Sequence, residues 1–214
     1  MKTNTQPILT YALLLSAILF SSAVLSQTCG STVSTFPYSE GFESGIGLWT
    51  QDTTDDNNWS PRTGGTPSGS TGPSASNEGS VYMFTEASGN SNQTFNLVSP
   101  CFDISSASLA NFSFYYHMYG ADMGSLFLEM STDNGSSWPT ILWSQSGQVQ
   151  TNTGQAWNQV SIDLSSYTGQ TIILRFRGVT GSNYRSDMAV DNIYMIAGAA
   201  EPEAGADWHA YFWP

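Results

Sequence analysis

From Tyr38 onward, apolar and polar positions alternate with a period of two in short runs, and no 3.6-residue period is sustained. Runs rich in aromatic and β-branched residues, separated by clusters of Gly, Ser, Asn and Pro, predict strands over 81–86, 94–99, 109–118, 126–131, 140–144, 157–163, 172–178 and 188–196. Shorter strands are predicted over 38–42 and 48–50. Within 109–118, Ala110, Phe112, Phe114, Tyr116 and Met118 fall on one face, and Asn111, Ser113, Tyr115 and His117 on the other. The same alternation sets Val160 and Ile162 against Gln159 and Ser161, and Ile172, Leu174 and Phe176 against Arg175 and Arg177. One face of each strand is therefore core and the other partly wet. About ten short strands, with no room for crossover helices, predict an all-β fold: a jelly-roll β-sandwich of two antiparallel sheets, concanavalin-like in architecture.

The chain ahead of this pattern is different. A short head containing Lys2 leads into an apolar run over 8–25, and Val24 and Ser26 supply small residues at the −3 and −1 positions before Gln27. This is the layout of a secretory signal peptide over 1–26, whose cleavage would leave no stretch apolar enough to span a bilayer. One β-sandwich domain is expected over 27–197, followed by a linker-like tail over 198–214 that lacks ordered structure and ends in Trp208-His209-Ala210-Tyr211-Phe212-Trp213-Pro214. The stretch 61–79, dominated by Gly, Ser, Thr and Pro, predicts a long surface loop.

Charge narrows the partners. Beyond residue 26, 17 acidic residues stand against 4 arginines, a formal charge of −13. Nucleic acid and anionic membrane surfaces both need a basic face, so neither is an expected partner. The two cysteines, Cys29 and Cys101, lack C-x-x-C spacing, and a disulfide is their simplest reading in an exported chain. Asn58, Asn92, Asn111 and Asn134 stand in N-x-S/T sequons, the first disfavoured by Pro61.

The inventory for catalysis is thin. His117 and His209 are the two histidines, and neither H-E-x-x-H nor G-x-S-x-G occurs, so zinc proteases and serine hydrolases lose their usual signatures. A non-catalytic binding protein is the expectation. Asp52, Asp55 and Asp56, with Asn57 and Asn58, gather hard oxygen ligands suited to calcium; the alternative is a solvated acidic turn. Asp187, Asp191 and Asn192 form a second acidic group. Because the first and last strands of a jelly roll are often neighbours, Glu43, Asp56 and Asp191 are the expected ligands of one structural calcium ion. Ser131-Thr132-Asp133-Asn134-Gly135-Ser136-Ser137-Trp138 follows the Asp-box pattern S-x-D-x-G-x-x-W, which reads as a turn with two positive-φ positions at Asn134 and Gly135. The ligand-binding residues are not identified; a carbohydrate module would line one groove with aromatics such as Tyr115, Trp143 or Tyr184.

Taken in order, Phe36-Pro37-Tyr38-Ser39-Glu40-Gly41-Phe42-Glu43, Trp49 to Trp59, Leu97-Val98-Ser99-Pro100-Cys101, Leu174-Arg175-Phe176-Arg177-Gly178 and Ser186-Asp187-Met188-Ala189-Val190-Asp191-Asn192-Ile193 resemble a MAM domain. The resemblance spans about Phe36 to Ile196. It implies a jelly roll, placement outside the cell or on its surface, and adhesion to a protein or glycan of cell surfaces or the extracellular matrix. It also implies a capacity for homo-oligomers, a membrane association in some members, and a cation near Glu43, Asp56 and Asp191. The animal disulfide scheme does not carry over to two cysteines, and the composition resembles versions found in secreted bacterial proteins, where such domains accompany peptidases and other hydrolases.

Overall fold

The computed structural model describes residues 29–199; the expected signal peptide over 1–26 and nearly all of the expected tail lie outside them. Twelve strands follow in order: β1 (Thr32–Val33), β2 (Tyr38–Glu40), β3 (Thr50–Gln51), β4 (Ser60–Thr63), β5 (Val81–Phe84), β6 (Thr94–Asp103), β7 (Leu109–Met118), β8 (Ser125–Ser131), β9 (Thr140–Ser146), β10 (Asn158–Asp163), β11 (Thr171–Val179) and β12 (Met188–Gly198). A single 3-10 turn, Ser165–Tyr167, is the one helical element among the described residues.

The strands form two six-stranded sheets packed face to face. Sheet A runs β1-β6-β11-β8-β9, with β3 also on β6; sheet B runs β10-β7-β12-β5-β4, with β2 also on β12. All pairs are antiparallel except β1 with β6, a two-residue parallel contact that departs from the expected purely antiparallel sheets. The alternation delivers the core as predicted. Phe112, Phe114 and Met118 from β7 meet Leu174 and Phe176 from β11, all fully buried. Phe114 and Phe176 lie edge to face at 4.8 Å, and Trp49 stacks on Phe176 at 5.5 Å. Burial of each such side chain contributes about 1.5–3 kcal/mol. Gly178 leaves no room for a side chain: a Cβ there would meet Thr85 Cγ2 at 3.0 Å and Trp59 Cζ2 at 3.2 Å.

Strand limits differ from expectation for local reasons. β4 occupies the start of the predicted loop 61–79; Pro61 is tolerated because β4 is an edge strand, with no ladder bond required of the missing N–H. β6 continues through Pro100, where β11 bulges between Ile173 and Arg175 and Leu174 N–H donates to Ser99 Oγ at 2.9 Å. β1 is too short to carry a pattern, and β12 runs on to Gly198, into the start of the expected tail.

Candidate functional site

Half of the outer face of sheet B, expected to be wet, is sealed by the loop 64–79. Tyr82 Oη donates to the Gly64 carbonyl (2.8 Å), Trp157 Nε1 to the Ala75 carbonyl (3.1 Å), and Asp187 N–H to Thr71 Oγ1 (2.8 Å). The amides of Asn77 and Glu78 donate to Asp191 Oδ2 at 2.8 and 3.1 Å. Beneath the loop, Tyr82, Phe84 and Ala189 form a second small core with Trp157, whose ring meets those of Tyr82 and His117 edge-on, each at 5.6 Å. His117, expected on a polar face with Tyr115 and Asn111, is fully buried, beside the main chain of Gln155. Burial pushes this imidazole down to about 4, so at pH 7 it is a neutral ring packed as an aromatic. Asp187 and Asp191 are also buried, and desolvation pushes both up to about 6 against the amide bonds that favour their charge. Asp187 Oδ1 accepts the Ala87 N–H at 2.9 Å.

The carboxylates expected to share calcium do not converge. Glu43 Oε1 accepts the amides of Ser80 and Val81, both at 2.8 Å, so Glu43 and Asp191 fasten the two ends of one segment, 77–81. Asp56 Oδ2 instead accepts the Thr94 amide, at the start of β6 in the other sheet. Among the described residues, no group of three or more His, Cys, Asp or Glu side chains is gathered for a metal. Main-chain N–H groups donate to one oxygen each of Glu43 and Asp56 and to both oxygens of Asp191. Asp52 and Asp55 do the same work beside Asp56: Asp52 accepts Thr54 and Asn96 Nδ2, and Asp55 accepts the Asn96 amide. This acidic turn staples its loop to β6.

The outer face of sheet A is open. Val98, Cys101 and Ile173 make an apolar patch there, against which Cys29 and Trp138 pack, and the disulfide Cys29–Cys101 closes across it with Cα atoms 5.6 Å apart. This patch floors a cleft of about 590 Å³, rimmed by Gln51, Asp52, Thr54, Ser136 and Arg175. Its size suits a small organic group or one chain segment. Trp138 reaches the cleft because the Asp-box turn aims it: Asn134 and Gly135 have φ of 58° and 78°, and Asp133 accepts Ser131 Oγ, Ser137 N–H and Ser137 Oγ. The turn sits within the longer 132–139 connection rather than closing a two-residue hairpin.

Arg175 is held from two sides. Its guanidinium lies 4.3 Å over the Trp138 ring, and its Nε donates to Glu129 Oε2 at 2.7 Å. Glu129, 4% exposed, also accepts Arg177 Nε and Nη2 on Oε1, while Arg177 lies over Phe127 at 3.9 Å. Burial opposes the charge of Glu129, but the two arginines outweigh it and hold the carboxylate below its usual range. The terminal nitrogens of Arg175 are left for the cleft, a preorganised donor edge beside an apolar floor. By contrast, Tyr115, Trp143 and Tyr184 line no common groove: Tyr115 pairs across sheet B with Asp191, Trp143 packs between the sheets on Phe114 and Tyr116, and Tyr184 stands beside Arg185. Trp138 was legible only as a turn anchor, because its reach to Arg175 depends on the pairing of β8 with β11.

The profile of the family described as MAM domain, meprin/A5/mu, matches residues 41–200. The chain belongs to the MAM domain family. MAM domain-containing glycosylphosphatidylinositol anchor protein 2 of Mus musculus is 34% identical over 175 residues, 74% of this chain and 18% of that protein. Anchor protein 1 of Rattus norvegicus is 35% identical, over 70% of this chain and 16% of that protein. This MAM domain thus spans less than a fifth of the length of either relative, and their vertebrate origin lends no support to a bacterial affiliation. The K1 cleaved adhesin domain of Lys-gingipain from Porphyromonas gingivalis superimposes with a TM-score of 0.56 at 18% identity, covering 77% of this chain and 99% of that domain, a likeness of fold. No helix among the described residues is long and apolar enough to cross a membrane.

Proposed function

We propose that this MAM domain is a non-catalytic extracellular recognition module, mediating adhesion by binding a protein or glycan of cell surfaces or the extracellular matrix through the cleft on sheet A. The observation that carries the reading is Arg175, a guanidinium immobilised by Glu129 and Trp138 at the wall of an apolar-floored cleft. A donor fixed before binding loses little entropy on contact, which favours recognition of a carboxylate, amide or hydroxyl-bearing partner. Relatives named for a glycosylphosphatidylinositol anchor, and a disulfide that suits an oxidising compartment, support placement outside the cell. The acid–base inventory supports a non-catalytic role: His117 is sealed, and the Glu43, Asp56 and Asp191 carboxylates are bound by main-chain amides. A carbohydrate ligand is the second reading, favoured by the Trp138 ring at the cleft.

The test is retention of the purified chain on glycan arrays and on intact cells, compared with Arg175→Gln and Trp138→Ala. Loss of at least about tenfold in affinity, roughly 1.4 kcal/mol, with an unchanged unfolding midpoint is expected. Equal retention by both variants, or substrate turnover by the isolated chain, would remove the proposal.

A further inference from the structure

The cleft on sheet A is lined by one cation and one anion, Arg175 and Asp52, set on opposite sides of an apolar floor. Thr50, Val98 and Arg175 lie in one cross-strand row over β3, β6 and β11, which places the first and last about 10 Å apart at the main chain. Asp52 stands just past the end of β3, so the turn that carries it and the strand that carries Arg175 flank Val98 from either side. Arg175 makes its ion pair with Glu129 and none with Asp52. Burial raises Asp52, but the bonds from Thr54 and Asn96 and the charge of Arg175 outweigh it and hold the carboxylate below its usual range. Its Oδ1 takes two bonds from Thr54, whereas Oδ2 takes Asn96 Nδ2 at 3.2 Å and has capacity for a second donor.

This pair selects against charged ligands. A free carboxylate drawn to Arg175 is repelled by Asp52, and an ammonium drawn to Asp52 is repelled by Arg175. A neutral secondary amide satisfies both, its carbonyl accepting from the terminal nitrogens of Arg175 and its N–H donating to Asp52. With donor and acceptor fixed on opposite walls, one orientation of that amide is favoured. The floor of Val98, Ile173 and the disulfide then suits a methyl on the carbonyl carbon, which makes the group an acetamide. A main-chain peptide amide has a residue on each side and no methyl to seat there. Around the rim, Thr53 and Ser136 are exposed hydroxyls, while Leu48 and Trp138 offer apolar surface, a mixture suited to a sugar ring.

We infer that the cleft takes the acetamido group of an N-acetylhexosamine carried on a glycan. Arg175 and Asp52 read the amide, the disulfide floor reads the methyl, and the rim meets the ring. The inference rests on the cleft being the recognition site and narrows that reading to one ligand class.

Titration of the purified chain, followed by the amide resonances of Thr54, Ser136 and Arg175, tests this with four probes: the methyl glycosides of N-acetylglucosamine, glucosamine and glucose, and an N-acetyl-lysine peptide. The N-acetylated sugar should bind at least about tenfold more tightly than the other three. Arg175→Gln and Asp52→Ala should each remove at least about tenfold of that affinity, and Asp52→Asn, which keeps an acceptor, should recover most of it. If Asp52→Ala lowers the unfolding midpoint, Arg175→Gln decides. Equal binding of acetylated and unacetylated sugars, or preference for the peptide, would overturn the inference. Cell retention that still depends on Arg175 would then leave the cleft as the recognition site, whereas retention indifferent to Arg175→Gln would remove that reading and the inference with it.

Discussion

The outer faces of the two sheets begin from similar sequence and meet opposite ends. Tyr115 and His117 alternate outward from β7 as Arg175 and Arg177 do from β11. On sheet B, the loop 64–79 folds across that face, anchored by Asp191, Tyr82 and Trp157, and turns it into a second core. On sheet A the turns at 52–54 and 135–138 rim the face around Arg175 without closing over it, and the face keeps a cleft. A wet-looking strand face is therefore a surface only if no distant loop claims it, and the loop's claim rests on main-chain donors that side-chain patterning does not display. The difference leaves an open cleft on sheet A and a second small core on sheet B.

The largest effect expected bears on the sheet A side. Replacing both Cys29 and Cys101 with Ser opens a loop spanning 72 residues and should cost about 4 kcal/mol by the chain-entropy argument, read by urea unfolding. It should also weaken cleft binding, since the disulfide is part of the floor. Next, Tyr82→Ala removes a fully buried ring and its bond to Gly64, with an expected loss of about 3 kcal/mol or more. Hydrogen exchange should rise across 64–79 while the cleft is unaffected; equal loss on both faces would break the comparison.

A third effect depends on pH. Asp187 lies near 6 when folded, above its ordinary 3.8, so burying its charge costs stability above about pH 6 and the cost is relieved as the pH falls toward 4. Asp191 contributes in the same direction. His117 contributes in the opposite one: held near 4, below its ordinary 6.5, it favours the folded state above pH 6.5 and that stability is lost as the pH falls to 4. Asp187→Asn should accordingly raise stability at pH 7.5 by on the order of 2 kcal/mol and remove its share of the gain on acidification. Chemical denaturation at pH 7.5 and 4.5 checks both. The smallest expected effect is that of calcium. Adding it to EGTA-treated chain should leave the unfolding midpoint unchanged; a rise abolished by Glu43→Ala or Asp191→Ala would restore the shared-cation reading.

Much of the fold was legible because the core follows the period of two: Phe112, Phe114, Leu174 and Phe176 point inward as their alternation requires. The disulfide was legible from two cysteines without C-x-x-C spacing in a chain expected to be exported. What escaped was long-range. His117 looks polar by position and is buried against Trp157, forty positions later in the sequence. The carboxylates at 43, 56 and 191 look like ligands, yet their oxygens meet amides brought in by loops. Arg175 looked like ordinary wet-face polarity, and only the pairing of β8 with β11 shows that Glu129 and Trp138 immobilise it.

The most direct measurement is cell-surface binding by Trp138→Ala on sheet A compared with Tyr194→Ala, an exposed ring on the uncovered end of sheet B. The account predicts at least about a tenfold loss for Trp138→Ala and none for Tyr194→Ala, with both variants folded. Loss confined to Tyr194→Ala would contradict it and move the recognition surface to the other sheet.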